Sequence, residues 1–103
     1  MRLTLPWIAV IGLSGAAGPV HADYDLVVKK NCLACHQVDK RKYGPNFKEI
    51  GAKYADQKNA ADVLARKIRR GGTGVWGQDV MPPQPQVSAA EARALARYVL
   101  SVK

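Results

Sequence analysis

The stretch Cys32-Leu33-Ala34-Cys35-His36 contains both cysteines of the chain, and a histidine follows the second cysteine directly. A Cys-x-x-Cys-His run is the attachment pattern of c-type haem. Two thiols that add to the vinyl groups of one porphyrin must emerge on the same side of the chain, and the imidazole of the next residue then reaches the iron. We therefore predict that Cys32 and Cys35 form thioether bonds to haem and that His36 is the proximal iron ligand.

Three other uses of these side chains fit less well. A disulfide between Cys32 and Cys35 would close a very small loop and add little stability. A thioredoxin-like redox pair requires a βαβ context, and the sequence has no alternating strand pattern. A zinc site takes about four ligands, whereas only three soft ligands remain if export removes His21. A further alternative is that the Cys-x-x-Cys-His pattern occurs here by chance and binds no cofactor.

The first residues have the layout of a secretory signal peptide. Arg2 supplies a positive charge, residues 3–13 are mostly apolar, and Val20-His21-Ala22 resembles a cleavage site with small residues. We predict cleavage after Ala22, which leaves residues 23–103 as one exported, soluble domain. The alternative is an uncleaved membrane anchor, but prolines and glycines break the apolar run, and spanning a bilayer takes about 20 apolar residues. A domain this small usually needs a cofactor, a metal or disulfides to complete its core.

The chain is strongly basic, with a formal net charge of +8. We expect no nucleic-acid partner, because an exported protein rarely meets nucleic acid and no basic patch is interleaved with aromatic residues that could stack on bases. Two interpretations remain open. The charge is either a solvated surface or a device that steers the protein toward acidic partners.

The apolar pattern predicts an all-α domain of about four short helices. A first helix is expected over residues 25–31, and Phe47, Ile50 and Tyr54 give the apolar face of a second helix that follows Pro45. The third helix is expected to begin with Asn59 as its cap and to end at Gly71-Gly72. Residues 72–87 are expected to be an irregular loop. The final helix begins with the capping box Ser88-Ala89-Ala90-Glu91, and its apolar stripe consists of Ala92, Leu95, Ala96, Val99 and Leu100.

Met81 is the candidate for the second axial iron ligand. Residues 23–103 contain no further histidine, cysteine or methionine that could take this place. The two prolines after Met81 stiffen the backbone and help to hold the thioether in position. A His/Met pair raises the reduction potential of the haem. The alternative is a five-coordinate haem that binds a gas or a small ligand, with Met81 as packing.

Residues 23–103 resemble the small bacterial class I cytochromes c of the c-551/c-552 type, also called the cytochrome c8 family. The resemblance implies the class I cytochrome c fold with one covalently bound haem c. It also implies that the Pro45 carbonyl accepts the ring N–H of His36, that the Trp76 indole reaches a haem propionate, and that Lys67 meets a propionate. Leu26, Leu95 and Val99 would then pack where the first and last helices cross. The resemblance rests on the haem motif, Gly44-Pro45, Gly71-Gly72-Thr73-Gly74-Val75-Trp76-Gly77, Met81-Pro82-Pro83 and the final helix.

The function that this resemblance implies is periplasmic transfer of single electrons by a monomeric carrier that is not an enzyme. Donors would be proteins such as the cytochrome bc complex, and acceptors would be a terminal oxidase or a nitrite reductase with acidic docking surfaces. A haem sensor with an open iron is the alternative. A peroxidase would need a distal acid or base, and no histidine is spare. One departure from the family is Asp79-Val80 in place of Ile-Pro, which brings a carboxylate close to Met81.

Overall fold

A computed structural model describes residues 2–4, 6 and 19–103 of the chain, with the side chains of residues 19–22 excepted. The four helices confirm the predicted fold class. Most of the predicted signal peptide lies outside the described residues, so cleavage after Ala22 stays a prediction. The elements are α1 (Pro19–Lys29), a single 3-10 turn (Cys32–Ala34), α2 (Phe47–Tyr54), α3 (Ala60–Arg70), β1 (Gly72–Gly74), β2 (Gly77–Met81) and α4 (Ala89–Ser101).

Helix α4 is the centre of the core, since each of the other three helices packs against it. Its predicted apolar stripe is confirmed, with Ala92, Leu95, Ala96 and Val99 buried and Leu100 partly buried against the core. From α1, Val27 is the residue that is fully buried, whereas Leu26 is only half-buried against the core. Leu26 therefore packs against the core as expected, and Val27, which the sequence analysis did not single out, is the more deeply buried of the two.

The helix starts are fixed by side-chain caps at α2 and α4 but not at α3. At α4, the Glu91 amide donates to Ser88 Oγ at 3.1 Å and the Ser88 amide donates to Glu91 Oε1 at 2.9 Å, which confirms the capping box. At α2, the cap is Asn46, which accepts from the Glu49 amide at 2.7 Å. The prediction of a side-chain cap from Asn59 is wrong, since Asn59 has a left-handed backbone (φ 62°) and makes no side-chain cap bond.

The expected irregular loop is in part a β-hairpin. Strands β1 and β2 pair antiparallel, with Gly72 opposite Met81 and Gly74 opposite Gly77. The strands are short, rich in glycine and largely exposed, so they lack the alternation that reveals a half-buried strand in a sequence. The hairpin places Met81 at the end of a strand with a defined partner.

Gly51 sets the distance between α2 and α4. A Cβ atom at this position would lie 2.7 Å from the Val99 carbonyl oxygen and 3.2 Å from that of Val102. Helix propensity alone would make Gly51→Ala stabilising by about 0.5–1 kcal/mol. We expect the opposite sign, a loss of about 1–3 kcal/mol, because the two helices must move apart.

Denaturant unfolding of the haem-loaded protein measures this effect. Lys48→Ala, at an exposed position of the same helix, is the control and should change the free energy of unfolding by less than about 0.5 kcal/mol. A Gly51→Ala protein as stable as the wild type would show that the helices are not in close contact here.

Candidate haem-binding site

An apolar cavity opens between the Cys-x-x-Cys-His stretch, α3 and the hairpin, with a volume of about 190 Å³. Packed protein interiors leave few voids larger than a water molecule, so this space is built for a ligand. The lining includes core residues such as Phe47, Leu64 and Leu95. The structure also brings together all seven residues predicted for the site: Cys32, Cys35, His36, Pro45, Lys67, Trp76 and Met81.

The two cysteines and the histidine share one wall of the cavity because the chain turns sharply there. Asn31 has a left-handed backbone (φ 65°), which breaks the direction of the chain after α1. The amides of Cys35 and His36 then both donate to the Cys32 carbonyl oxygen, at 3.2 and 3.0 Å. Cys32 is half-buried and Cys35 is exposed.

The ring of His36 is held from three sides. Its Nδ1 lies 2.7 Å from the Pro45 carbonyl oxygen. Because a carbonyl only accepts, Nδ1 carries the proton and Nε2 keeps a free lone pair. The ring stacks on Phe47 with a centroid distance of 5.6 Å. A Cβ atom on Gly44 would approach the ring to 3.0 Å, so the third side is closed by a residue without a side chain.

The hairpin supplies the other wall, where Met81 is half-buried at the end of β2. Gly71, at the end of α3, packs closely against the backbone of Met81 and Pro83. A Cβ atom there would collide with the Met81 carbonyl oxygen and would lie 2.8 Å from the nitrogen of Pro83. Sequence reasoning took Gly71 as the end of α3 and as part of a family motif, and it missed this contact because no local pattern indicates which backbone segment lies opposite.

Trp76 and Lys67 approach the cavity from the hairpin turn and from α3, and both are half-buried. The Lys53 ammonium lies 5.3 Å from the centre of the Trp76 ring, within the range of a cation–π contact. Asp79 also lines the cavity, and its carboxylate pairs with Arg41. Sequence reasoning noted Asp79 near Met81 but missed this partner, because the two residues are 38 positions apart.

The donor set fits a haem better than a redox disulfide or a bare metal ion. Burial raises the pKa of the Cys32 thiol, whereas redox-active Cys-x-x-Cys pairs have a lowered thiol pKa. In residues 23–103, no cluster of three or more His, Cys, Asp or Glu side chains is arranged to hold an ion. A thiol pair and an imidazole on one wall, a thioether on the other and an apolar lining between them suit a flat apolar group with a central metal.

The fold and the site thus define a class I cytochrome c. The family model "Cytochrome c" matches residues 24–103. Cytochrome c-552 of Nitrosomonas europaea is 50% identical over 99 residues, which cover 94% of this chain and 96% of that protein. Its crystal structure superposes with a TM-score of 0.76 at 54% identity, covering 78% of this chain and 99% of that one. The class 1 cytochrome MtoD of Sideroxydans lithotrophicus covers 81% of this chain and 95% of its own, with a TM-score of 0.65 at 25% identity.

This chain therefore belongs to the cytochrome c family. It is a small cytochrome of the electron-carrier kind, and it carries one covalently bound haem c with its iron. Among the helices of the described residues, none has the length and apolar character needed to cross a bilayer.

Proposed function

We propose that the protein is a periplasmic electron carrier whose haem is held by thioether bonds from Cys32 and Cys35, with His36 and Met81 as the axial ligands of the iron. The observation that carries this proposal is the position of His36 and Met81 on the lining of one apolar cavity. When bound, the haem iron takes up and releases one electron at a time.

The protein's own residues prepare the site for this exchange. The Pro45 carbonyl fixes the proton of His36 on Nδ1, which leaves Nε2 as the ligand atom and makes the imidazole a better donor. The apolar lining keeps water away from the metal. A neutral thioether from Met81 favours the reduced state and so raises the potential. Trp76 of the hairpin turn and Lys67 of α3 line the cavity, and we expect both to contact the haem propionates.

A carrier accounts for these residues better than a sensor or an enzyme does. A sensor would require an open iron, whereas Met81 is held at the cavity by the hairpin ladder and by the contact with Gly71. A peroxidase would require a distal acid or base, and the only histidine in residues 23–103 is His36, whose Nδ1 is already used by Pro45.

The predicted leader sequence supports the proposed location, and the charged surface supports the proposed partners. Cleavage after Ala22 would release residues 23–103 into the periplasm, as a monomer with no stable membrane insertion and no nucleic-acid partner. The mouth of the cavity carries exposed apolar side chains, including Tyr43 (74% exposed) and Val80 (69% exposed). Lys42 and Lys53 lie beside Tyr43 and Trp76. This combination suits docking on acidic surfaces of redox proteins such as a cytochrome bc complex, a terminal oxidase or a nitrite reductase.

A potentiometric titration of the purified protein tests this function. A carrier should follow a reversible one-electron curve, about 59 mV for each tenfold change in the ratio of oxidised to reduced protein. Its reduced form should transfer electrons to an acidic redox protein without consuming a substrate. Turnover of hydrogen peroxide at enzymatic rates, or a titration that does not reverse, would contradict the proposal.

We expect the rate of electron transfer to an acidic partner to fall at least about tenfold between low salt and about 0.5 M salt, because salt screens the attraction that steers docking. Lys42→Gln should lower the low-salt rate, because the Lys42 ammonium lies 5.8 Å from the ring centre of Tyr43, which lines the cavity. Arg66→Gln is the matched control, because Arg66 is exposed on α3 and lies outside the cavity lining. Stopped-flow spectroscopy measures these rates, and a rate independent of salt would favour the interpretation as a solvated surface.

A further inference from the structure

Arg41 and Asp79 join the two walls of the haem cavity. Arg41 belongs to the loop between His36 and Pro45, and Asp79 lies in β2, two residues before Met81. The Arg41 guanidinium donates through Nη2 to Asp79 Oδ2 and forms an ion pair with it. This contact connects the loop that follows one proposed iron ligand with the strand that carries the other.

The hairpin has independent attachments on its opposite side. Gly71 packs against the backbone of Met81 and Pro83, and the Gln84 amide donates to the Arg69 carbonyl oxygen at 3.2 Å. These contacts hold the hairpin to α3, but they do not fix its distance from the loop that follows His36. The ion pair between Arg41 and Asp79 limits that distance, because it connects this loop directly to β2.

The Arg41 guanidinium lies close to a second carboxylate besides that of Asp79. Glu49 Oε1, in the first turn of α2, lies 3.9 Å from Arg41 Nη1. The guanidinium therefore lies between two carboxylates on different elements, and its planar fork presents donors to both. The chain also approaches Met81 through Asp79 and Val80 with no proline before it, so the backbone there has no stiffening of its own.

We propose that Arg41 is a positioning residue for Met81, which acts through Asp79 by strapping β2 to the loop that follows the haem-attachment stretch. The inference rests on the proposed function, in which Met81 binds the iron. The strap biases the equilibrium toward the state with Met81 on the iron and leaves the ligand itself unchanged. The Arg41 and Asp79 side chains are 51% and 28% exposed, and exposed ion pairs shift an equilibrium by up to about fivefold.

Imidazole is the probe, since it displaces a weakly held methionine from ferric iron and the displacement is read from the visible spectrum. The haem-loaded variants are Arg41→Gln, Asp79→Asn and the two combined. Each single variant should bind imidazole about two- to fivefold more tightly than the wild type. The double variant should show no further gain, because both changes break the same contact. Arg41→Lys retains the charge and should recover part of the wild-type behaviour.

The chain offers a matched control in a second arginine–aspartate pair. Arg93 of α4 bonds to Asp62 of α3 at 2.5 Å, with both side chains about half exposed, and neither residue lines the cavity. Arg93→Gln should leave imidazole affinity unchanged. At about 1 M salt the differences among the Arg41 and Asp79 variants should shrink, since an exposed pair is then screened.

The outcomes separate this inference from the proposed function. If the wild-type ferric protein lacked the weak far-red sulfur-to-iron band, Met81 would not be a ligand. The proposed function and the positioning role of Arg41 would then both fail. With that band present, variants that bind imidazole like the wild type would overturn only the strap. The positioning role would also be overturned if the gains in imidazole affinity of the two single variants added in the double variant.

Hydrogen exchange of the reduced protein gives a second measurement that does not use imidazole. The strap predicts faster exchange of β2 amides in Arg41→Gln and Asp79→Asn, with α4 amides unchanged. Equal acceleration in α4 would indicate a general loss of stability and would contradict a positioning role.

Discussion

Met81→Ala is expected to keep the haem attached, remove the far-red band and lower the reduction potential by on the order of 0.1–0.2 V, a part of the roughly 0.8 V over which axial ligands set haem potentials. Cys32, Cys35 and His36, the residues proposed to attach the haem, line the cavity on the wall opposite Met81, so attachment should not depend on Met81. Removal of the thioether takes away a ligand that favours the reduced state. The reduced iron should then bind carbon monoxide.

Val80→Ala is the control for this experiment. Val80 neighbours Met81 but is 69% exposed, so its loss should leave both the spectrum and the potential close to those of the wild type. If the Met81→Ala protein had an unchanged reduction potential, Met81 could not be an iron ligand. That result would favour the alternative function, a sensor with five-coordinate haem.

Gly71→Ala is expected to destabilise the haem-loaded protein by more than about 3 kcal/mol and to weaken the far-red band. Gly71 has φ 72° and ψ −170°, a region that is nearly restricted to glycine and costs other residues about 1–3 kcal/mol. The added Cβ would also press on the backbone at Met81 and Pro83, and overpacking costs about 1–3 kcal/mol more. Thermal unfolding and the optical spectrum measure the two effects separately.

Two neighbouring glycines separate backbone strain from the collision. Gly74 has a positive φ of 87° but open space at the Cβ position, and Gly72 has open space without a positive φ. Gly74→Ala should therefore cost about 1–2 kcal/mol, and Gly72→Ala should cost little. Neither should change the far-red band. A Gly71→Ala protein that behaves like Gly74→Ala would show that the backbone of Met81 does not rest on the end of α3.

The parts of this protein that sequence reasoning predicted correctly depend on local signals. The attachment of haem follows from three residues within a span of five, and the capping box at Ser88 and Glu91 depends on residues in the same helical turn. The buried stripe of α4 follows from helical periodicity alone. Elimination selected Met81 as the candidate ligand, because residues 23–103 have so few soft ligands; the structure puts it on the cavity lining, and its bond to the iron stays a prediction.

The features that were missed depend on contacts between distant segments. The hairpin lacks a strand pattern because its stability comes from the pairing of two short exposed segments. Asn59 was expected to cap α3 with its side chain, but its backbone is left-handed, where capping residues usually are extended, and its side chain makes no cap hydrogen bond. The pair of Arg41 with Asp79 and the contact of Gly71 with Met81 exist only because the fold brings these segments together.

The most direct test of the central claim is the optical spectrum of the exported protein, recorded oxidised, reduced, and reduced with carbon monoxide. Ligation by His36 and Met81 predicts a low-spin c-type spectrum with the far-red band in the oxidised form and no change on addition of carbon monoxide. A high-spin spectrum, or a reduced spectrum that shifts with carbon monoxide, would mean an open iron and would contradict the account of this protein as a carrier with both axial positions filled.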